Sequence, residues 1–400
     1  MSIKKITLIS NSHLASNPRL VKEAEALSDA GFIVSVIFLQ HIAQFEAYDE
    51  EIILKLDKVK FHPINFGSKD ISSRYLNYKR LWRKLWLKNN FNRELSENLF
   101  FTEFKKIIKE HNADLYIGHT LQALPIVAWA AKNNGTKFAF DAEDYHRRET
   151  CDGIQNNLAE AIENKYLEDA EYISTASKFI SDAYFKHFEF KKIITINNFF
   201  EYEDLNQPKV AKDTSPIKIV WFSQTIGLNR GLKEFIAKLA LLNSDLFELH
   251  LRGTSDEFIR AQLLDEVSVS WKNKILFHDQ CSPKKLNLWL RGFDIGLALE
   301  NKIPINRDMC ITNKIFQYFS AGLAIIATPT KGQNWVTDKA KDACIMLADN
   351  SDLGELKKWA ENKEKLEYAK RASKNAAKEI FNWTIEKEKL IEVIKQIEIE

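Results

Sequence analysis

Short, continuously apolar runs alternate with helix-patterned segments along most of this 400-residue chain, and that rhythm restricts the fold more than any other feature. Ile6 to Ile9 is the first run. Asn17 then stands where a helix N-cap belongs, with Pro18 at the first helical position, a paired start signal. Leu20, Val21, Ala24 and Leu27 recur at helical spacing, and Gly31 ends the segment. Phe32 to Leu39 is apolar except for Ser35, as a strand covered on both faces requires. The unit is βαβ.

The same pattern returns with strands at Asp114 to Gly118, Thr136 to Phe140, Tyr172 to Thr175 and Ile193 to Ile196. Helices at Leu121 to Lys132, Ile154 to Leu167 and Ser177 to Phe185 lie between them. Glu201 to Pro216 is polar, carries Pro208 and Pro216, and reads as a linker. A second series follows, with strands at Ile217 to Phe222, Phe247 to Leu251, Lys274 to Phe277, Ile295 to Leu299 and Leu323 to Ala327. Strands alternating with helices imply parallel, doubly wound sheets. The expectation is therefore an α/β protein of two αβα domains.

Composition narrows the function classes. A formal net charge of +2 is too small for a nucleic-acid binder by charge alone. The four cysteines, Cys151, Cys281, Cys310 and Cys344, lie far apart without a C-x-x-C pair, which argues against zinc and a disulfide framework. No apolar run approaches the roughly 20 residues of a membrane span. No secretory leader follows Lys4 and Lys5, so a cytoplasmic location is expected.

In open α/β sheets ligands bind beyond the carboxyl ends of the strands. The G-x-G-x-x-G, G-x-x-x-x-G-K-[ST] and G-x-S-x-G patterns are absent, which argues against dehydrogenases, P-loop enzymes and hydrolases of the elbow type. The loop after Phe222 runs through Gly227, Asn229, Arg230 and Gly231 to Lys233. Arg230 and Lys233 near a helix N-terminus oppose its dipole unless an anion lies between them, and a phosphate suits both side chains. At the second site Thr312 is a helix N-cap candidate, followed by Asn313, Lys314 and, one turn on, Gln317. The amides of that helix start suit a pyrophosphate, and Gln317 suits a ribose hydroxyl. In the first half His119 follows one strand, and Asp141, Glu143, Asp144 and His146 follow the next.

These residues resemble glycosyltransferase family 4, the retaining nucleotide-sugar-dependent enzymes of GT-B fold. Asn17-Pro18-Arg19 is similar to the opening segment of that family. Gly118-His119-Thr120 with Leu124-Pro125 resembles its "H-x-D…LP" loop, with Thr120 in place of the acid. Phe140-Asp141-Ala142-Glu143-Asp144 resembles "D-x-H-E" without the His. Asn229-Arg230-Gly231-Leu232 resembles its donor loop, Asp294-Ile295-Gly296-Leu297 its "DIGL", and Asn313-Lys314-Ile315-Phe316-Gln317-Tyr318 its "NKxFEY", followed by Ala321-Gly322.

The resemblance implies two Rossmann-like domains facing a central cleft: residues 1–205 on the acceptor side, completed by a returning helix in 380–400, and 206–379 holding the donor. It implies His119, Arg230 and Lys233 as catalytic. Gly227, Asn229, Gly231, Glu300, Thr312, Asn313, Lys314 and Gln317 would bind the donor. Asn17, Arg19, Asp141, Glu143, Asp144 and His146 would lie on the acceptor side. No metal or other cofactor is expected, since cationic side chains would neutralise the diphosphate. Met309 and Gln317 stand where many members carry two glutamates eight positions apart, and Glu300, at the end of its strand, would supply the missing charge. Trp383 resembles the Trp of a family "F-x-W" and reads as a packing anchor. The implied partners are a nucleotide-sugar and a glycan or lipid-linked acceptor, as in bacterial cell-surface polysaccharide or glycolipid synthesis. A sugar-nucleotide epimerase or hydrolase, or a catalytically silent partner subunit, would use the same phosphate site.

Arg74 to Arg93 stands apart. It holds Arg74, Lys79, Arg80, Arg83, Lys84, Lys88 and Arg93 without an acidic residue, interleaved with Tyr75, Tyr78, Leu81, Trp82, Leu85, Trp86 and Phe91. Such a segment suits a membrane headgroup zone. It suits equally a helix packed on its own domain with a solvated basic face.

Overall fold

The computed structural model describes residues 3–66, 73–89, 93–189, 192–202, 216–228, 230–265, 267–347 and 353–397. The chain divides into two compact units, Met1–Asn197 with Ile385–Glu400, and Asn198–Thr384.

The first unit is built on seven strands: β1 (Lys5–Ser10), β2 (Ile33–Gln40), β3 (Lys60–Asn65), β4 (Leu115–His119), β5 (Lys137–Asp141), β6 (Ile173–Thr175) and β7 (Ile193–Thr195). Their order across the sheet is β3-β2-β1-β4-β5-β6-β7, with every pairing parallel. Ile6 lies beside both Val34 and Leu115, and Ser10 lies beside both Phe38 and His119. The central strands are buried on both faces, which is why they read as unbroken apolar runs.

The second unit repeats the plan with β8 (Ile217–Thr225), β9 (Phe247–Thr254), β10 (Ile275–His278), β11 (Ile295–Ala298), β12 (Ala324–Ala327) and β13 (Cys344–Met346). The order is β10-β9-β8-β11-β12-β13, again all parallel. Both sheets therefore reverse direction next to their first strand, between β1 and β4 and between β8 and β11. Crevices open at the carboxyl ends of strands at such reversals. The core of the second unit gathers Trp221, Phe235, Leu249, Leu297 and Ile326, all nearly inaccessible.

Two strands escape the apolar-run reading. β3 (KFHPIN) is an edge strand with Pro63 inside it, and Ile64 alone among its residues is fully buried. β13 has only three residues, none fully buried. The signals at Asn17 behave as expected: its side chain accepts from Leu20 N at 3.0 Å, and Pro18 opens the helix Pro18–Asp29.

Trp383 is buried at the start of the helix Trp383–Lys395, and its amide donates to Phe200 O at 3.1 Å. Beside it Phe381 packs against Phe199, Phe316 and Phe319. The same helix then carries the chain back to the first unit, where Glu386 accepts from the Asn197 amide at 2.6 Å and from its side-chain nitrogen at 2.8 Å.

The basic aromatic stretch forms the helix Ser73–Asn89. Lys79 reaches Leu99 O and Glu103, both at 2.6 Å, and Arg83 Nε donates to Ser96 O at 2.7 Å. Tyr78, Leu81, Trp82 and Leu85 are exposed. Part of the positive charge therefore docks the helix, while these four side chains face outward and Trp86 and Leu87 are half-buried. The side chains of Arg74, Tyr75 and Lys88, and residue Phe91, lie outside the described residues. Among the described residues no helix is long and apolar enough to cross a membrane.

Candidate functional site

At the reversal between β8 and β11 the chain leaves β8, passes Gly227 and reaches Gly231. That glycine has φ +69 and precedes the helix Leu232–Leu239. A left-handed residue there lets the loop turn sharply into the helix. Arg230, just before the turn, donates from Nη1 to Glu300 Oε1 at 3.2 Å. Glu300 follows β11 and is 6% exposed. It is held there by Thr328, whose Oγ1 accepts from the Glu300 amide at 2.8 Å and donates to its carbonyl at 2.7 Å. Lys233 is half-buried in the first turn of the helix, and Asn229 lies outside the described residues.

The helix Asn313–Ala321 starts beside this pair. Thr312 occupies its N-cap position, but its hydroxyl caps nothing and is buried without a hydrogen-bond partner among the described residues. The Lys314 side-chain nitrogen is also buried and has no partner among the described residues. It lies 4.6 Å from the centre of the Trp221 ring, whose own Nε1 lacks a partner too. Burial, reinforced by Arg230 and Arg307 and opposed by Glu300, lowers the Lys314 pKa to about 7. Asn313 Oδ1 accepts from Asn198 at 2.7 Å, and Gln317 Nε2 donates to Asn287 at 3.4 Å. A buried donor is normally paired. Unfilled donors at a helix N-terminus, with an arginine nearby, form a cradle for an anion.

The packing beneath explains why two of the sequence motifs occur together. Gly296 on β11 faces Tyr318, and a Cβ there would come within 2.3 Å of the tyrosine ring. Tyr318 in turn donates from its hydroxyl to Leu297 O at 3.2 Å. The glycine of the first motif thus makes room for the tyrosine of the second.

In the first unit the reversal between β1 and β4 sits over a buried charge cluster. Arg19 forks onto Asp141, with Nε to Oδ2 at 2.5 Å and Nη2 to Oδ1 at 2.7 Å, and donates from Nη1 to Ile196 O at 2.5 Å. His119 is fully buried. Its Nδ1 faces Asp141 at 3.2 Å and Glu143 at 3.3 Å, and its Nε2 faces Glu23 at 3.4 Å. Burial alone would lower its pKa, but Glu23, Asp141 and Glu143 outweigh burial and raise it well above the ordinary value. Burial likewise opposes ionisation of Asp141, and Arg19 and His119 overcome that to hold it far below the usual carboxylate range. Glu23, His119 and Asp141 could present ligating atoms within 4.8 Å of one another. Arg19 and His119 already balance the two carboxylates, so a metal ion would have to displace the Arg19 fork.

Two non-glycine residues at these strand ends have positive φ, Thr120 at 68° and Glu143 at 50°. Such backbone is costly for a β-branched threonine and clusters at functional sites. Glu143 Oε1 accepts from Asn17 at 2.9 Å. Asp144 is half-buried beside it, and the Tyr184 hydroxyl reaches its carbonyl at 3.5 Å. His146 is buried against Glu149 at 2.7 Å, and despite burial this contact raises its pKa to about 9.

Asn17, Arg19, His119, Asp141 and Glu143 therefore come together, and so do Arg230, Glu300, Thr312 and Lys314. His146 belongs to a neighbouring ion cluster, and Gln317 faces Asn287. Glu23, Trp221 and Thr328 join these clusters although no motif marks them. Glu23 does carry a weaker signal, since it lies one helical turn after Arg19.

Two Rossmann-like units in one chain make this the GT-B fold. No protein-family model and no curated protein sequence matches the chain. Among solved structures it is similar to the sucrose-phosphate synthase tll1590 of Thermosynechococcus elongatus, with TM-score 0.67 and 13% identity over 98% of both chains. It is also similar to Alr3699/HepE of Anabaena in complex with UDP and glucose, with TM-score 0.70 and 13% identity over 98% of this chain and 100% of that one. A glycosyltransferase of Rickettsia africae ESF-5 gives TM-score 0.67 and 12% identity over 99% of each. At these identities the likeness establishes the fold.

Proposed function

We propose that the protein is a glycosyltransferase. It moves a sugar from a nucleotide-diphospho-sugar to an acceptor hydroxyl with retention, in cell-surface polysaccharide or glycolipid synthesis. The observation that carries this reading is the set of unfilled donors at the start of the helix Asn313–Ala321, beside the Arg230–Glu300 pair. That UDP and UDP-glucose occupy the Anabaena protein of the same fold supports it.

On this reading the diphosphate lies against the Thr312–Lys314 turn and draws Arg230 and Lys233 to it. The bond from the anomeric carbon to the leaving phosphate breaks while the acceptor oxygen attacks the same face. The acceptor proton passes to the departing phosphate oxygen, so no protein nucleophile is needed. Fixed cations and helix amides stabilise the charge growing on that phosphate. Asn17 and Glu143 serve the acceptor side. His119, enclosed by carboxylates, acts as a positioning residue by holding Glu143 Oε1. The exposed face of the helix Ser73–Asn89 rests on a membrane surface and brings a lipid-linked acceptor within reach.

The test is turnover of UDP-, GDP-, ADP- and CMP-sugars, with Arg230→Ala as control. Turnover of the accepted donor should fall at least about tenfold, since a charge-assisted phosphate contact is worth about 1.5–3 kcal/mol. An unchanged rate removes Arg230 from the site. Donor binding without turnover across a broad acceptor set makes the protein a silent binding subunit instead.

A further inference from the structure

The Arg230–Glu300 pair leaves the Lys314 amine of this pocket without a partner among the described residues. Lys314 Nζ is buried, has no hydrogen-bond partner among the described residues and lies over the face of Trp221. The charged groups around it are Arg230 from the loop after β8, Glu300 from the end of β11 and Arg307 from the helix Ile305–Met309. Two cations thus face it for one carboxylate, and that carboxylate already accepts from Arg230. Burial and the two arginines favour loss of the proton from such an amine, against the pull of Glu300 and of the Trp221 face. The arriving anion inverts that balance.

We propose that above neutral pH Lys314 is a neutral amine while the pocket is empty, and takes up a proton from solvent when a nucleoside diphosphate docks, pairing the new ammonium with a phosphate oxygen. The proposal rests on the donor site assigned above. It gives the site a second role, in which the ligand's charge is completed by a proton that the resting protein does not hold. The lowered pKa of about 7 agrees with it. Arg230 turns from Glu300 to the diphosphate in the same event, which leaves Glu300 to accept from the new ammonium. Binding of the nucleotide should therefore be proton-linked above neutral pH and lose that linkage under acidic conditions, where Lys314 is already charged.

Calorimetric titration with UDP, in two non-phosphate buffers of different ionisation enthalpy, reads the linkage directly. Near pH 8 the wild type should take up close to one proton per nucleotide bound, and near pH 6 about a third of that or less. Lys314→Arg carries a permanent charge, so it should bind UDP with no uptake at either pH. Lys314→Met should bind about tenfold more weakly or worse, also without uptake. Circular dichroism checks both folds, and should Lys314→Met not fold, the wild type and Lys314→Arg still decide. UDP binding without proton uptake near pH 8, or equal uptake by Lys314→Arg, overturns the inference while leaving the donor site standing. Failure of UDP, GDP and ADP all to bind overturns the donor site and this inference with it.

Discussion

At the scale of residues, the first unit uses buried charge where most cores use carbon. Arg19, Glu23, His119 and Asp141 are all about 1% exposed or less. Arg19, His119 and Asp141 stay charged because they face one another. Removing one partner of such a set leaves a buried charge uncompensated, which is far more damaging than never having had the pair. His146 gives a testable pH dependence. Its pKa is raised to about 9 by Glu149 against a burial effect in the other direction. A raised pKa contributes stability that is complete below the unfolded value of about 6.5 and is lost as pH rises through about 9. Comparing wild type with His146→Gln by urea unfolding, the stability gap should be widest near pH 6, of order 3 kcal/mol, and should close above pH 9. A gap that does not narrow on going alkaline rules out the charged form. In the sequence Arg19 and Asp141 stand out only as members of motifs. Nothing local to either reveals that residues so far apart share a fork, because that contact is created by the pairing of β1 with β4 and of β4 with β5.

At the scale of elements, legibility follows burial. Strands covered on both faces, such as β2 and β4, announce themselves as apolar runs. β3 and β13, at the sheet edges, are half-solvated and carry no such run. Caps are equally readable where a side chain does the capping, as at Asn17. Thr312 is the contrary case: its residue type and position mark a cap, yet its hydroxyl leaves the helix start open. The helix Ser73–Asn89 divides in a way that periodicity alone does not show, with Lys79 and Arg83 turned to their own unit and Tyr78, Leu81, Trp82 and Leu85 outward. Interfacial tryptophans bind through apolar contact as well as charge. Trp82→Ala/Trp86→Ala should therefore reduce pelleting with anionic vesicles several-fold at unchanged net charge. Equal pelleting by both proteins makes the helix an ordinary packed one.

At the scale of the whole molecule, one plan is used twice. Each sheet places its reversal beside its first strand, and each reversal gathers charged side chains at strand ends. The two gatherings differ in kind. In the first unit the Glu23 carboxylate oxygens lie at ion-pair distance from Arg19 and His119 but accept no hydrogen bond among the described residues, whereas in the second unit it is donors that are left over. The tie through Glu386 should be separable from the second unit's chemistry. Glu386→Ala should cost about 1–3 kcal/mol by removing a charged acceptor from the buried Asn197 amide, and hydrogen exchange should place that loss in the first unit. The shift in unfolding caused by saturating nucleotide, about 2.7 kcal/mol at a hundredfold excess over Kd, should persist unchanged in the second unit. A reduced nucleotide shift in this variant would show that the units are energetically coupled.

The return of the helix Trp383–Lys395 has a consequence for biogenesis. A ribosome delivers Glu386 only after the whole of Asn198–Thr384 has been translated. At roughly 5–20 residues per second that is a wait of order ten seconds or more. Throughout it, the Asn197 amide has yet to meet its acceptor. The earlier-made half of the nascent chain is thus finished last, by a piece that arrives from the far end of the message.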